Sequence, residues 1–151
     1  MVSRRNLFMI NMNYANESDL NFWLSLDKHL SKGELVRKIL QKQCYIIEYD
    51  GKRVGVLRYN LFWDNIPFLN MIFFSPEYRA KGIGRQTMVA WENEMKLLGY
   101  VAVMTSTNSD EQAQHFYRKL GYKDCGCLIL DIPKMEQPTE LFFIKSLLVN
   151  K

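Results

Sequence analysis

The sequence has little of what marks a metal protein, a secreted protein or a membrane protein. Histidine occurs only at His29 and His115, and the three cysteines, Cys44, Cys125 and Cys127, form no Cys-x-x-Cys pair. A structural zinc site needs four such ligands at recognisable spacings, so zinc ligation has no support. An odd number of thiols without a pairing pattern speaks for a reducing compartment, and a cytoplasmic location is expected. Arg4 and Arg5 precede only a very short apolar run, whereas a secretory signal needs a longer apolar core and a small-residue cleavage site. No uncharged apolar window approaches the length of a membrane span, so no membrane partner is expected. One-sided charge is lacking too. The net charge is +4, with Lys and Arg scattered among Asp and Glu. Nucleic-acid binding would want a basic stripe or tail, and none is present.

What remains is the composition of an ordinary globular protein, 48% hydrophobic and 24% charged over 151 residues, and one domain spanning 1–151 is expected. Phe8, Ile10, Met12 and Tyr14 alternate with polar residues, the period of a half-buried strand. Asn16-Glu-Ser-Asp19 caps a helix through Leu26, and Leu35, Ile39 and Leu40 place a second over 34–43. Strands follow at 45–49 and 54–63, joined by the hairpin turn Asp50-Gly51. Gly55 in the second of them marks a close approach of backbone. A central helix over 84–98 buries Met88, Trp91, Met95 and Leu98, with Gly99 as its terminating residue. A short strand at 101–104, parallel to the one before the helix, completes a right-handed βαβ unit. Ser109-Asp-Glu-Gln112 has the form of a capping box for a helix ending at Gly121. Strands over 122–130 and 140–148 close the chain.

The segment from Leu69 to Arg85 organises the rest. Leu69–Phe74 is an apolar run broken only by Asn70, suiting a strand buried on both faces. Ser75-Pro76 ends it, and Gly82 and Gly84 let the backbone approach a ligand at the mouth of the next helix. The positive end of that helix, with Arg79, Lys81 and Arg85 around it, is suited to a phosphate or pyrophosphate. It is no P-loop, because Gly-x4-Gly-Lys-Ser/Thr does not occur. Nor is it the dinucleotide fingerprint: the third glycine position is Thr87, and Met104 and Thr105 stand where an acidic residue about 20 residues on would be.

Arg79-Ala-Lys-Gly-Ile-Gly84 resembles the Arg/Gln-x-x-Gly-x-Gly/Ala acetyl-coenzyme A loop of the GNAT superfamily of N-acetyltransferases. Phe74-Ser-Pro-Glu-Tyr78 is similar to that family's strand end, and Ala113-Gln-His-Phe-Tyr-Arg-Lys-Leu-Gly-Tyr122 to its Ala-x-x-Phe-Tyr-x-x-x-Gly-Phe segment. The resemblance implies an α/β domain with a mostly antiparallel seven-stranded sheet, one parallel βαβ pair and four flanking helices. It implies acetyl-coenzyme A as cosubstrate, bound by the main chain of Ile72, Phe73 and Phe74, by Arg79 and Lys81, and by the Lys81–Arg85 amides through Gly82, Ile83 and Gly84. A strand N–H near Phe74 would receive the oxyanion. Tyr117 matches the family's general acid toward the departing thiolate, a role that suits a phenol protonated at neutral pH.

Two departures from the family pattern matter. Where many relatives carry Asn seven residues before the tyrosine, this chain has Asp110, so Asn108 is the cofactor-contact candidate and Asp110 reads as a helix cap. The central strand carries no carboxylate: Phe68 and Asn70 stand where relatives often place a base. Asp64, Glu48 and Glu77 are the base candidates, and an ordered water is the alternative. Trp63 and Phe68 are expected to wall the acceptor pocket and Asp64 to attract an ammonium group; packing of an aromatic-flanked hairpin explains them equally well. The resemblance implies a small-molecule or peptide amine as acceptor, attacking directly in a ternary complex. A homodimer is left open by the resemblance. A non-catalytic module holding coenzyme A or another nucleotide is the reading from a different class.

Overall fold

The computed structural model describes residues 9–148. In chain order the elements are β1 (Ile10–Tyr14), α1 (Leu20–Leu26), α2 (Lys32–Leu40), β2 (Cys44–Tyr49), β3 (Lys52–Phe62), β4 (Ile66–Phe74), α3 (Ile83–Leu97), β5 (Ala102–Asn108), α4 (Ala113–Lys119), β6 (Lys123–Leu128) and β7 (Glu140–Ser146). Short 3₁₀ turns lie at Glu17–Asp19 and Pro76–Tyr78. The strands form one seven-stranded sheet in the order β1-β2-β3-β4-β5-β7-β6. β1–β2, β2–β3, β5–β7 and β6–β7 are antiparallel and β4–β5 is parallel. The expected mixed α/β class, with four helices and one parallel pair, is what the described residues form. Phe8, expected at the start of the first strand, lies outside the described residues.

The chain falls into two compact units. One is the chain up to Asn60 together with Asn70–Glu94; the other is Leu61–Leu69 with the chain from Met95 onward. In the first unit, strand alternation feeds two layers of core. Cys44, Ile46 and Val56 point to one face and pack with Ala15, Trp23 of α1 and Leu35 of α2. Tyr45 and Tyr59 stack at 6.3 Å between ring centroids, and Tyr59 meets Trp91 of α3 at 5.8 Å. Asn16 starts the first helical turn as expected: its side chain accepts from Ser18 N–H, and Asp19 Oδ2 accepts from Asn16 N–H (2.9 Å). At the end of α1, the buried Asp27 carboxylate accepts from Arg58 Nε (2.7 Å), Trp23 Nε1 (3.1 Å) and His29 N–H (3.1 Å). This ties α1 to β3.

The hairpin at Asp50-Gly51 has φ of 52° and 73°, the left-handed pair that its turn type demands. Gly55 is a true close approach: a Cβ there would lie 2.4 Å from a Phe74 ring carbon and 2.8 Å from the Phe73 carbonyl oxygen.

In the second unit β7 lies between β5 and β6, and Phe143 at its centre is fully buried. The ring of Tyr117 packs against Phe116, Tyr122 and Phe143 at 5.4, 5.7 and 6.1 Å. Gly121 (φ 93°) ends α4, where Tyr122 N–H bonds back to Tyr117 C=O.

Several expectations are corrected. Helix α2 begins at Lys32, because Ser31 caps it by accepting from Glu34 N–H (3.2 Å). Leu40 ends up 78% exposed. Leu98 is not part of the α3 stripe: Met88, Trp91 and Met95 are fully buried, but the helix stops at Leu97 and Leu98 turns outward. Strand β4 starts earlier, at Ile66, and is not buried on both faces, since Asn70 and Phe73 are exposed. Strand β5 runs on to Asn108. No capping box forms before α4. Its N-cap is Gln112, without a side-chain bond, and Glu111 reaches back to Thr107 Oγ1 (3.2 Å) and Asn108 Nδ2 (3.1 Å). Asp110 is therefore exposed and caps nothing among the described residues.

Candidate active site

The segment joining β4 to α3 belongs wholly to the first unit. β4 ends at Phe74, Pro76 starts a 3₁₀ turn, and Arg79 leaves it in extended conformation. Ala80 (φ 60°) and Gly82 (φ 76°) are both left-handed. A Cβ on Gly82 would meet nothing within 4 Å, so the glycine answers to backbone conformation and leaves open space beside it. The first helical bond of α3 runs from Gln86 N–H to Gly82 C=O (3.2 Å). The amides of Ile83, Gly84 and Arg85 therefore precede the ladder and head the helix as donors. Ile83 is 1% exposed and pins this end of α3 into the core.

Arg79 does more than add charge. Its Nε donates to Phe74 C=O (3.1 Å) and its guanidinium lies 4.6 Å from the Phe73 ring centroid. Lys81 Nζ lies 5.7 Å from the Tyr78 ring centroid. The loop is thus closed on its own strand, with Lys81 and Arg85 exposed beside the helix-heading amides. Backbone donors, dipole and cations together form a donor set matched to a pyrophosphate. Ile72, Phe73 and Phe74 sit in the last stretch of β4, Phe73 exposed and its neighbours half-buried. The parallel ladder to β5 comprises Phe68↔Met104 and Leu69↔Thr105, while β4 itself runs on to Phe74.

Tyr117 belongs to the second unit and is 6% exposed. Burial pushes its phenol up to about 12; hydrogen bonding with the Thr105 side chain opposes the rise, and the Glu111 charge adds to it. Thr105 Oγ1 itself donates to Leu69 C=O (3.2 Å), tying the polar neighbour of the phenol to the β4–β5 ladder. Asn108 is engaged on both sides: Nδ2 donates to Glu111 Oε1, and Oδ1 accepts from Gln137 Nε2 (3.0 Å).

The residues expected on the acceptor side also lie in the second unit. Trp63 and Asp64 form the exposed tip between β3 and β4, and Phe68 is half-buried on β4. Phe62 joins Trp63 to Phe68, at 4.7 and 6.1 Å, and Phe68 meets Phe142 of β7 at 5.7 Å. The expected pair Trp63 and Phe68 is thus brought into one aromatic row. The turn from Phe62 to Phe68 was expected to frame the acceptor site and Thr105 was noted on the next strand; sequence reasoning missed Phe142 and Glu111 as neighbours of these groups. Among the base candidates, Glu77 and Asp64 are exposed and Glu48 is half-buried on β2. No group of three or more His, Cys, Asp or Glu able to hold a metal occurs among the described residues. No described helix is long and apolar enough to cross a membrane.

The first unit thus carries a basic strand-to-helix turn headed by free amides, and the second a buried tyrosine. The acetyltransferase (GNAT) family model matches residues 11–122, and the chain belongs to that family. Among solved structures, the fold is similar to that of the spermidine/spermine N-acetyltransferase SpeG from Vibrio cholerae (14% identity, TM-score 0.75, 92% of this chain and 93% of that one). It is similar also to the ribosomal-protein-S18-alanine N-acetyltransferase from Escherichia coli (14% identity, TM-score 0.75, 95% and 97%). A Bacillus subtilis acetyltransferase solved in complex with CoA matches at 16% identity and TM-score 0.70 over 93% and 99% of the two chains. No curated protein matches the chain.

Proposed function

We propose that this acetyltransferase is a single-domain cytoplasmic enzyme that moves the acetyl group of acetyl-coenzyme A to a primary amine by direct attack in a ternary complex. The observation that carries this reading is the β4–α3 loop, where left-handed Ala80 and Gly82 lead into three helix-heading amides flanked by Lys81 and Arg85. The amides from Lys81 to Arg85 hold the pyrophosphate. Arg79, spent partly on Phe74 C=O, fixes the loop and lends its charge. Main-chain groups of Ile72, Phe73 and Phe74 pair with the pantetheine arm; the continuation of β4 past the two-pair parallel ladder supports this. Asn108 would have to exchange its bonds to Glu111 and Gln137 to reach the cofactor.

The bound cosubstrate supplies the acetyl thioester. Tyr117, protonated across the neutral range, gives its proton to the departing sulfur. Trp63, Asp64 and Phe68 face the acceptor. Amine-acetylating neighbours that act on spermidine or on a ribosomal protein's alanine support an amine acceptor, small or peptidic. The test is calorimetric titration with acetyl-coenzyme A, with ATP and a nicotinamide dinucleotide as controls. Selective binding that is lost in a folded Gly82→Val variant is expected. Absence of binding by the folded wild-type protein would remove the cofactor and with it the enzyme.

A further inference from the structure

The tip of the β3–β4 hairpin is built at a cost. Trp63 and Asp64 both have left-handed backbone, φ 55° and 57°, closed by Asn65 N–H to Phe62 C=O (3.1 Å). Such a turn prefers Asn-Gly or Gly-Gly, and a tryptophan in its first central position is strained. The strain holds an indole in water: Trp63 is 79% exposed, whereas Trp23 and Trp91 are fully buried. The indole rests on Phe62 and so on the half-buried row of Phe68 and Phe142, which sets its position. The adjacent Asp64 carboxylate is exposed and has no hydrogen bond or ion pair among the described residues. An aromatic face and an unpaired anion on neighbouring residues are complementary to one chemical group, an organic ammonium ion on an apolar stem.

We propose that Trp63 and Asp64 form a ledge for a second, non-reacting ammonium group of the acceptor, its alkyl stem lying along Phe62 and Phe68. The acceptor is then a diamine or polyamine rather than a simple monoamine. This rests on the amine-acetylation reading for its biological sense, though the ledge can be measured without it. It also separates two demands on the acceptor: the attacking nitrogen must be neutral, while the distal one stays charged and supplies binding energy. Asp64 holds that distal charge and is not the base.

Because Trp63 alone among the three tryptophans is exposed, acrylamide quenching of intrinsic fluorescence reports its occupancy. We expect 1,5-diaminopentane and spermidine to shield Trp63 from acrylamide and 1-pentanol not to, with shielding weakened in Asp64→Asn. In turnover, Asp64→Asn should raise KM for the diamine, relative to its effect on pentylamine, by about two- to fivefold, as the loss of one exposed ion pair implies while the Trp63 face remains. Equal shielding by pentanol, or an unchanged diamine-to-pentylamine KM ratio, would overturn the ledge and leave acetyl transfer standing. Shielding by diamines with no acetylation of any amine would overturn the transfer reading and leave the ledge.

Discussion

A single hydroxyl carries the proton in the proposed transfer. Tyr117 is enclosed by Phe116, Tyr122 and Phe143, and burial has raised its phenol to about 12. Replacing it with Phe keeps the ring packing and removes the hydroxyl, with its proton and its hydrogen bond to the Thr105 side chain. Tyr117→Phe is therefore expected to stay folded and to lose about 10²- to 10⁴-fold in kcat, the usual worth of a positioned acid. Because the phenol ionises only near 12, the wild-type rate should not fall through this group anywhere between pH 6 and 10. A steady-state pH profile of both proteins checks this; equal kcat values would sink the acid role. Glycines give a second residue-scale contrast. At Gly55 a Cβ would press on the Phe74 ring and the Phe73 carbonyl, and backbone cannot give way cheaply. Gly55→Ala should cost about 1–3 kcal/mol in urea unfolding. In Gly33→Ala the new Cβ meets nothing within 4 Å on a helix, so it should stabilise, by up to about 1 kcal/mol.

Among the elements, the joint between α1 and β3 depends on one buried ion pair. Burial works against the Asp27 charge, but the bond and charge of Arg58, with the His29 amide and the Trp23 indole, outweigh it and hold the carboxyl below its ordinary value. A depressed folded pKa gives stability that is present above the unfolded value, about 3.9, and is lost as pH falls through the folded one. Asp27→Asn leaves Arg58 buried and unpaired. It should cost about 3–5 kcal/mol at neutral pH and flatten the acid limb of the stability curve below about pH 4. Chemical denaturation at a series of pH values reads both effects, and an unchanged acid limb would show that Asp27 does not titrate with folding.

The same elements show what was legible. Hydrophobic period and turn residues placed every strand and helix to within a few residues, because burial of one face is written locally. The capping box before α4 was misread because Glu111 found Thr107 and Asn108 instead, a choice made by tertiary geometry. Likewise nothing local foretold that Arg79 would close on Phe74 C=O, or that Trp63 would adopt a glycine's backbone.

At the scale of the molecule, the turn between β4 and α3 was legible from Ser75-Pro76 and its glycines, and the burial of Tyr117 from the apolar face of its helix. The pairing of Phe68 with Phe142 was not, since it joins segments far apart in sequence. The proposal of one domain is likewise a whole-chain statement, made against a chain that falls into two compact units. It predicts one cooperative transition. The two buried tryptophans, Trp23 and Trp91, both lie in the first unit, so their fluorescence follows that unit, whereas far-UV circular dichroism follows the strands and helices of both. Urea curves from the two probes should coincide. Acetyl-coenzyme A at a hundredfold its Kd should shift both together by about 2.7 kcal/mol, or about 5–11 °C in Tm for a chain of this size. A fluorescence transition that moves with the ligand while the dichroism curve splits in two would show that the units unfold separately.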